Sequence, residues 1–214
     1  MKKGLTEIVF IIDRSGSMAG LVEDTIGGFN SLIEKQKGEP GEALISTVLF
    51  SDDSTVLHDR VPLVQVAPMT RRDYIPCGCT ALLDAVGDAI RHIGNVHKYA
   101  RNEDVPEHTM FVITTDGMEN ASRRRVLAEV KAMIERQREK YGWEFLFLGA
   151  NMDAVGTAAG MGIHADRAVR YHSDSQGTCA NYEALDMAMC CMRESVPMTP
   201  AWKAKIEEDF ERRK

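Results

Sequence analysis

Residues 5–12, Leu5-Thr6-Glu7-Ile8-Val9-Phe10-Ile11-Ile12, run directly into Asp13-Arg14-Ser15-Gly16-Ser17-Met18. The first run is short, β-branched and apolar at both parities, so it reads as a strand buried on both faces. Apolar residues then recur at helical spacing through Val22, Ile26, Phe29 and Ile33. The chain thus leaves a buried strand, turns on small polar residues and enters a helix. Open α/β sheets place their sites in such loops, at the carboxyl ends of parallel strands. This loop carries one carboxylate and two hydroxyls at alternate positions. Those are hard oxygens, suited to a hard cation such as Mg²⁺ or Ca²⁺.

The same alternation continues along the chain. Strands are expected at 43–50, 55–63, 108–115, 143–149 and 165–171. Helices are expected at 19–37, from Thr80 through Ile93, at 122–140, at 152–160 and at 178–192. The Ser51-Asp52-Asp53-Ser54 connection is too short for a parallel crossover, which needs a dozen or more residues. Residues 55–63 therefore form an antiparallel edge strand, where Pro62 is tolerated. The pattern predicts one α/β domain, doubly wound around a mostly parallel six-stranded sheet. Asp52 and Asp53 read as turn formers, and the mid-helix Gly27-Gly28 pair as a site of close packing against the sheet.

Composition narrows the function classes. The 214 residues carry a net charge of −6, which leaves no basic footprint for nucleic acid. No apolar run approaches membrane-spanning length, and the charged start Met1-Lys2-Lys3, though like a signal n-region, is not followed by the long apolar region and small-residue cleavage site expected of a leader. Five cysteines, an odd count, argue against a disulfide framework and for a reducing compartment. A cytoplasmic protein without nucleic-acid or membrane partners is the expectation. The six histidines show no ligand spacing, and Cys77-x-Cys79 lacks the second pair of a zinc ribbon. Cys77 and Cys79 read as small loop residues; a redox role beside Thr80 is the alternative.

Three segments combine into one pattern: Asp13-Arg14-Ser15-Gly16-Ser17, Gly78-Cys79-Thr80-Ala81-Leu82 and Thr115-Asp116-Gly117. Together they resemble the von Willebrand factor A (VWA) family with a metal-ion-dependent adhesion site (MIDAS), over roughly residues 5–193. Cys79 departs from the glycine common there, and residues from Ala165 onward match by topology alone. The resemblance implies sheet order 3-2-1-4-5-6 with strand 3 antiparallel and helices on both faces. It implies a VWA-like domain over residues 1–196, followed by a charged tail helix over 197–214. It assigns Asp13, Ser15, Ser17, Thr80 and Asp116 to a metal, Mg²⁺ first and Mn²⁺ or Ca²⁺ as alternatives.

The implied function is metal-dependent protein binding, with no enzymatic chemistry. The partner would be a protein presenting an Asp or Glu, as for intracellular bacterial-type stand-alone domains that work beside ATPases, chelatases or stress-response proteins. The rival reading is a Mg²⁺-dependent hydrolase or phosphatase using Asp13 and Asp116. Against it, Ser15 stands where an Asp-x-Asp phosphatase has its second acid. Nucleophile elbow, P-loop and dinucleotide fingerprints are also missing. Glu119 reads as an acid favoured at a helix start, or as an extension of the site. Asn120 and Ser122 compete as caps for the helix at 122–140. Trp202, Ile206 and Phe210 share helical spacing in the tail and could dock on the domain or on a partner.

Overall fold

The structure, a computed structural model, describes residues 1–213. Strands β1 (Lys2–Asp13), β2 (Glu42–Phe50), β3 (Ser54–Pro62), β4 (Pro106–Thr115), β5 (Glu144–Ala150) and β6 (Ala168–Tyr171) form one sheet, in the order β3-β2-β1-β4-β5-β6. Only the β2–β3 pairing is antiparallel. The expected sheet order and the antiparallel edge are both borne out. The helices are α1 (Val22–Lys37), α2 (Leu82–Tyr99), α3 (Leu127–Tyr141), α4 (Ala154–Gly160), α5 (Ser175–Arg193) and α6 (Ala204–Arg212).

Strand periodicity divides the core in two. Ile8, Phe10 and Ile12 of β1 point to a layer shared with Phe29 of α1, Leu185 and Met189 of α5, and Trp202 and Ile206 of the tail. Val9 and Ile11 point the other way, to Val86 and Ile90 of α2, Val130 and Ile134 of α3, and Ala158 of α4. Both faces of β1 are therefore covered, which is why residues 8–12 are apolar without alternation.

Three local readings are corrected. The first turn after β1 is a 3-10 segment, Gly16–Leu21, before α1 proper. A Cβ on Gly28 would lie 2.1 Å from the Tyr182 ring of α5, so Gly28 admits a neighbouring helix and not the sheet. Helix α3 begins at Leu127, five residues later than capping chemistry suggested, and Val126 is exposed. The tail docks on the domain. Trp202 Nε1 donates to the Asp166 carbonyl at 2.9 Å, and Lys203 Nζ donates to the Ala165 and Ala168 carbonyls, each at 2.9 Å.

Candidate metal centre

Strands β1 and β4 are neighbours whose chain continuations leave to opposite faces, so a crevice opens at their carboxyl ends. Asp13 closes β1 and is fully buried. Its Oδ1 accepts from the Ser15 N–H at 2.6 Å, and its Oδ2 from the Thr115 hydroxyl at 2.6 Å. Burial pushes the Asp13 carboxyl up. The hydrogen bonds from Thr115 and Ser15 oppose that push, and the charge of Asp116 adds to it.

The two serines carry the chain of contacts outward. Ser15 Oγ lies 3.0 Å from Ser17 Oγ, and Ser17 donates its hydroxyl to Asp116 Oδ1 at 2.5 Å. Asp116 follows β4 and is 5% exposed, whereas Ser17 is open to solvent. One edge of the cluster is therefore sealed and one is accessible.

Thr80 arrives on the loop before α2. The Gly16 N–H donates to the Gly78 carbonyl at 3.1 Å, which joins this loop to the serine loop. Gly78 has φ +72°, and a Cβ there would collide with the Asp52 carboxylate at 1.9 Å. Asp52 also accepts from the Cys79 N–H at 3.2 Å, so its carboxylate shapes the loop that delivers Thr80. Asn120 clasps Thr80 from the other side. Its Oδ1 accepts from the Thr80 N–H at 2.9 Å, and its own N–H donates to the Thr80 carbonyl at 3.1 Å. A Cβ on Gly117 would stand 2.9 Å from Thr80 Oγ1 and 3.9 Å from Ser17 Oγ. Those two hydroxyls therefore face one space, which glycine leaves open.

All five residues singled out in the sequence thus meet in one crevice. Sequence reasoning missed Thr115, which binds Asp13, and Ser173, whose hydroxyl donates to Asp116 Oδ2 at 3.2 Å. Thr115 is legible in hindsight as a hydroxyl beside Asp116 at a buried strand end. Ser173 carries no local signal.

No protein-family profile and no curated protein matches the chain. Solved structures do. Proximal thread matrix protein 1 from the mussel byssus, in a form with a zinc-occupied MIDAS motif, superposes with TM-score 0.60 at 17% identity. That alignment covers 87% of this chain and 46% of the mussel one, so the chain spans less than half of that protein. The vWF domain of the pili tip protein Mfa5 from Porphyromonas gingivalis gives TM-score 0.61 at 10% identity, over 90% and 96% of the two chains. A von Willebrand factor type A protein from Catenulispora acidiphila gives 0.53 at 14% identity, over 85% and 41%.

The chain has the VWA fold.

Within the VWA fold, the loop between β4 and α3 differs most from the sequence expectation. Glu119 does serve a helix start, but that of α2. Its Oε2 accepts from the Leu83 N–H at 2.9 Å, and its Oε1 from the Ala121 and Ser122 N–H groups at 3.0 and 2.8 Å. The Ser122 hydroxyl accepts from the Asp84 N–H at 3.0 Å, capping α2 and not α3. Asp84 answers from α2, accepting from the N–H groups of Arg123, Arg124 and Arg125 at 2.8–3.0 Å. The loop after Asp116 is therefore stitched to the loop and helix that present Thr80.

Among the described residues, no group of three or more His, Cys, Asp or Glu could hold a metal. All five cysteines are free thiols, and Cys77, Cys79 and Cys179 are exposed. No helix of the described residues is long and apolar enough to cross a membrane.

Proposed function

We propose that this chain is a metal-dependent protein-binding module. Asp13, Ser15, Ser17, Thr80 and Asp116 hold a divalent cation, with Mg²⁺ first and Mn²⁺ or Ca²⁺ as alternatives, and the partner is a protein presenting an Asp or Glu. The observation that carries this reading is the Ser17–Asp116 hydrogen bond of 2.5 Å, which draws the serine loop and the β4 loop into one cluster of oxygens.

The residues present suit such a group. The donors are hydroxyls and carboxylates, without thiolate or imidazole, as Mg²⁺ and Mn²⁺ prefer. Ser17 donates its hydroxyl hydrogen bond to Asp116 and accepts from Ser15, which leaves one oxygen lone pair for a cation. Gly117 keeps open the space that Thr80 Oγ1 and Ser17 Oγ share. A bound divalent cation would supply a Lewis-acidic position for a partner's carboxylate. The hydroxyls are neutral, so with Asp13 and Asp116 reaching the cation through water its inner shell would compensate little of its charge, which favours an acidic ligand from outside. The zinc-occupied MIDAS of the mussel protein and the pili tip protein's vWF domain support a metal-dependent or adhesive role for this fold.

A nucleophilic Asp13 is disfavoured. Its carboxylate is fully buried, and both oxygens already accept hydrogen bonds. Five free thiols suit a reducing compartment such as the cytoplasm.

Calorimetric titration with Mg²⁺ and Mn²⁺ tests the metal. Saturable binding is expected for the wild type and none for Asp13→Ala. Affinity capture with and without EDTA tests the partner. A partner retained equally in EDTA would overturn the mechanism, and so would unchanged titration of Asp13→Ala.

A further inference from the structure

Ser173 lies in the tight turn between β6 and α5, far in sequence from every residue of the Asp-x-Ser-x-Ser loop. Its hydroxyl donates to Asp116 Oδ2 at 3.2 Å, while Ser17 donates to Oδ1 of the same carboxylate at 2.5 Å. The two serines hold Asp116 from opposite oxygens. A carboxylate with one donor on each oxygen has its plane defined. With Ser17 alone, Oδ2 would lose its donor and the plane would be held less firmly.

The turn that presents Ser173 is itself restrained. Its own backbone closes, with the Asp174 N–H donating to the His172 carbonyl at 2.8 Å. Asp174 Oδ1 caps α5 by accepting from the Gly177 N–H at 2.8 Å. A Cβ on Gly177 would lie 2.1 Å from the His172 carbonyl oxygen, so only glycine permits this closure. On the solvent side the turn is held by α6 and by Arg213, the residue that follows it. The His172 ring stacks on Phe210 with centroids 4.4 Å apart, and Arg213 pairs with Asp174 at 2.5 Å. Ser175 on the next residue but one donates to Asp24 of α1 at 2.7 Å. The helix α6 is anchored in turn by Trp202 and Ile206 in the core.

Resting on the metal reading above, we propose that Ser173 is a positioning residue of the metal centre: it orients Asp116 toward Ser17, and α6 keeps Ser173 in register through Asp174 and His172. Ser173 touches neither cation nor partner in this account. Its effect passes through Asp116. Hydrogen-bonding partners of metal ligands tune affinity by about 10–100-fold, which sets the expected scale.

The test is calorimetric titration of the full chain with Mn²⁺, beside thermal unfolding and amide hydrogen exchange in EDTA. Ser173→Ala is expected to weaken Mn²⁺ binding by about tenfold. Its unfolding temperature in EDTA should stay near that of the wild type, because the residue is only half-buried. Ser173→Thr keeps the hydroxyl and should restore most of the affinity, which a purely packing role would not predict. Arg213→Gln should weaken Mn²⁺ binding in the same direction and speed exchange at 172–176 in the metal-free protein. Wild-type affinity in Ser173→Ala, or failure of Ser173→Thr to recover it, would overturn the positioning role. Wild-type affinity in Arg213→Gln would remove α6 from it. A wild type that binds no Mn²⁺ would overturn the metal reading itself, a result distinct from either.

Discussion

Ser17 and Asp116 stand 99 residues apart in sequence and 2.5 Å apart in space, with the serine hydroxyl donating to Oδ1 of the carboxylate. This one bond joins the loop after β1 to the loop after β4. It depends on β1 and β4 being neighbours, with Ile12 opposite Thr114 in parallel register.

Ser17→Ala removes that bond and leaves Asp116 with Ser173 alone. A hydrogen bond to a charged acceptor suggests a cost of about 1–2 kcal/mol in EDTA. Urea unfolding in EDTA measures it. The same variant should lose most Mg²⁺- or Mn²⁺-dependent stabilisation, read as the shift in unfolding temperature on adding metal.

Asp84 holds three successive backbone N–H groups and is 5% exposed. Burial works against its charge, but the hydrogen bonds from Arg123, Arg124 and Arg125 outweigh it and hold the carboxyl below its usual range. The stabilisation from a lowered carboxyl is present above the unfolded value of 3.8 and is lost as pH falls through the folded one. Asp84→Ala should cost about 3 kcal/mol by leaving these donors unpaired. Asp84→Asn should cost less, since an amide oxygen still accepts. Chemical denaturation at neutral pH compares the two, and equal stability of Asp84→Ala and wild type would count against the anchoring role.

His58 lies on β3, stacked on Phe29 with ring centroids 6.2 Å apart, and Thr47 Oγ1 is 3.1 Å from its Nδ1. Burial lowers its pKa, opposed by a hydrogen bond with the Ala67 backbone and by the charge of Asp73. Below the unfolded value of 6.5 the unfolded chain therefore binds a proton that the folded one refuses. Stability is expected to fall as pH drops from 6.5 toward the lower folded value. His58→Gln should flatten that slope in unfolding temperatures measured between neutral and mildly acidic pH. An unchanged slope would assign the pH dependence to other groups.

Glu7 is a second buried carboxylate of β1, besides Asp13. It is fully covered and meets Arg60 Nε at 2.7 Å and His97 Nε2 at 2.5 Å. Arg60 adopts φ +52°, a left-handed conformation that a side chain enters at some cost, and reaches Glu7 from β3. Glu7→Ala strands two donors and should destabilise the protein by about 3–5 kcal/mol. Glu7→Gln keeps one acceptor and should cost less. Equilibrium unfolding in urea measures both, and a loss under about 1 kcal/mol for Glu7→Ala would mean that water already screens this cluster.

Much of the fold was legible because its signals are local. Residues 8–12 are apolar at both parities, which only a strand covered on both faces requires. The three residues between β2 and β3 are too few for a crossover, and β3 is antiparallel. The start of α3 was not legible. Asn120 and Ser122 have the chemistry of caps, but Asn120 serves Thr80, and Ser122 serves the N–H of Asp84 in α2. A side chain that prefers an orphan N–H cannot reveal, from sequence, which helix owns it.

By itself the sequence determined the strands and their alternation with helices, and it marked Asp13, Ser15, Ser17, Thr80 and Asp116 as candidates. Hydrophobic periodicity and loop length are properties of neighbours along the chain, so they survive without coordinates. Only the tertiary structure decided that Ser173 reaches Asp116, that Asp52 and Asn120 frame the Thr80 loop, and that the tail packs its tryptophan into the core. Each of those contacts joins residues dozens apart. Hydrogen bonds of that kind depend on where the sheet and helices place each end, which no short stretch of sequence encodes.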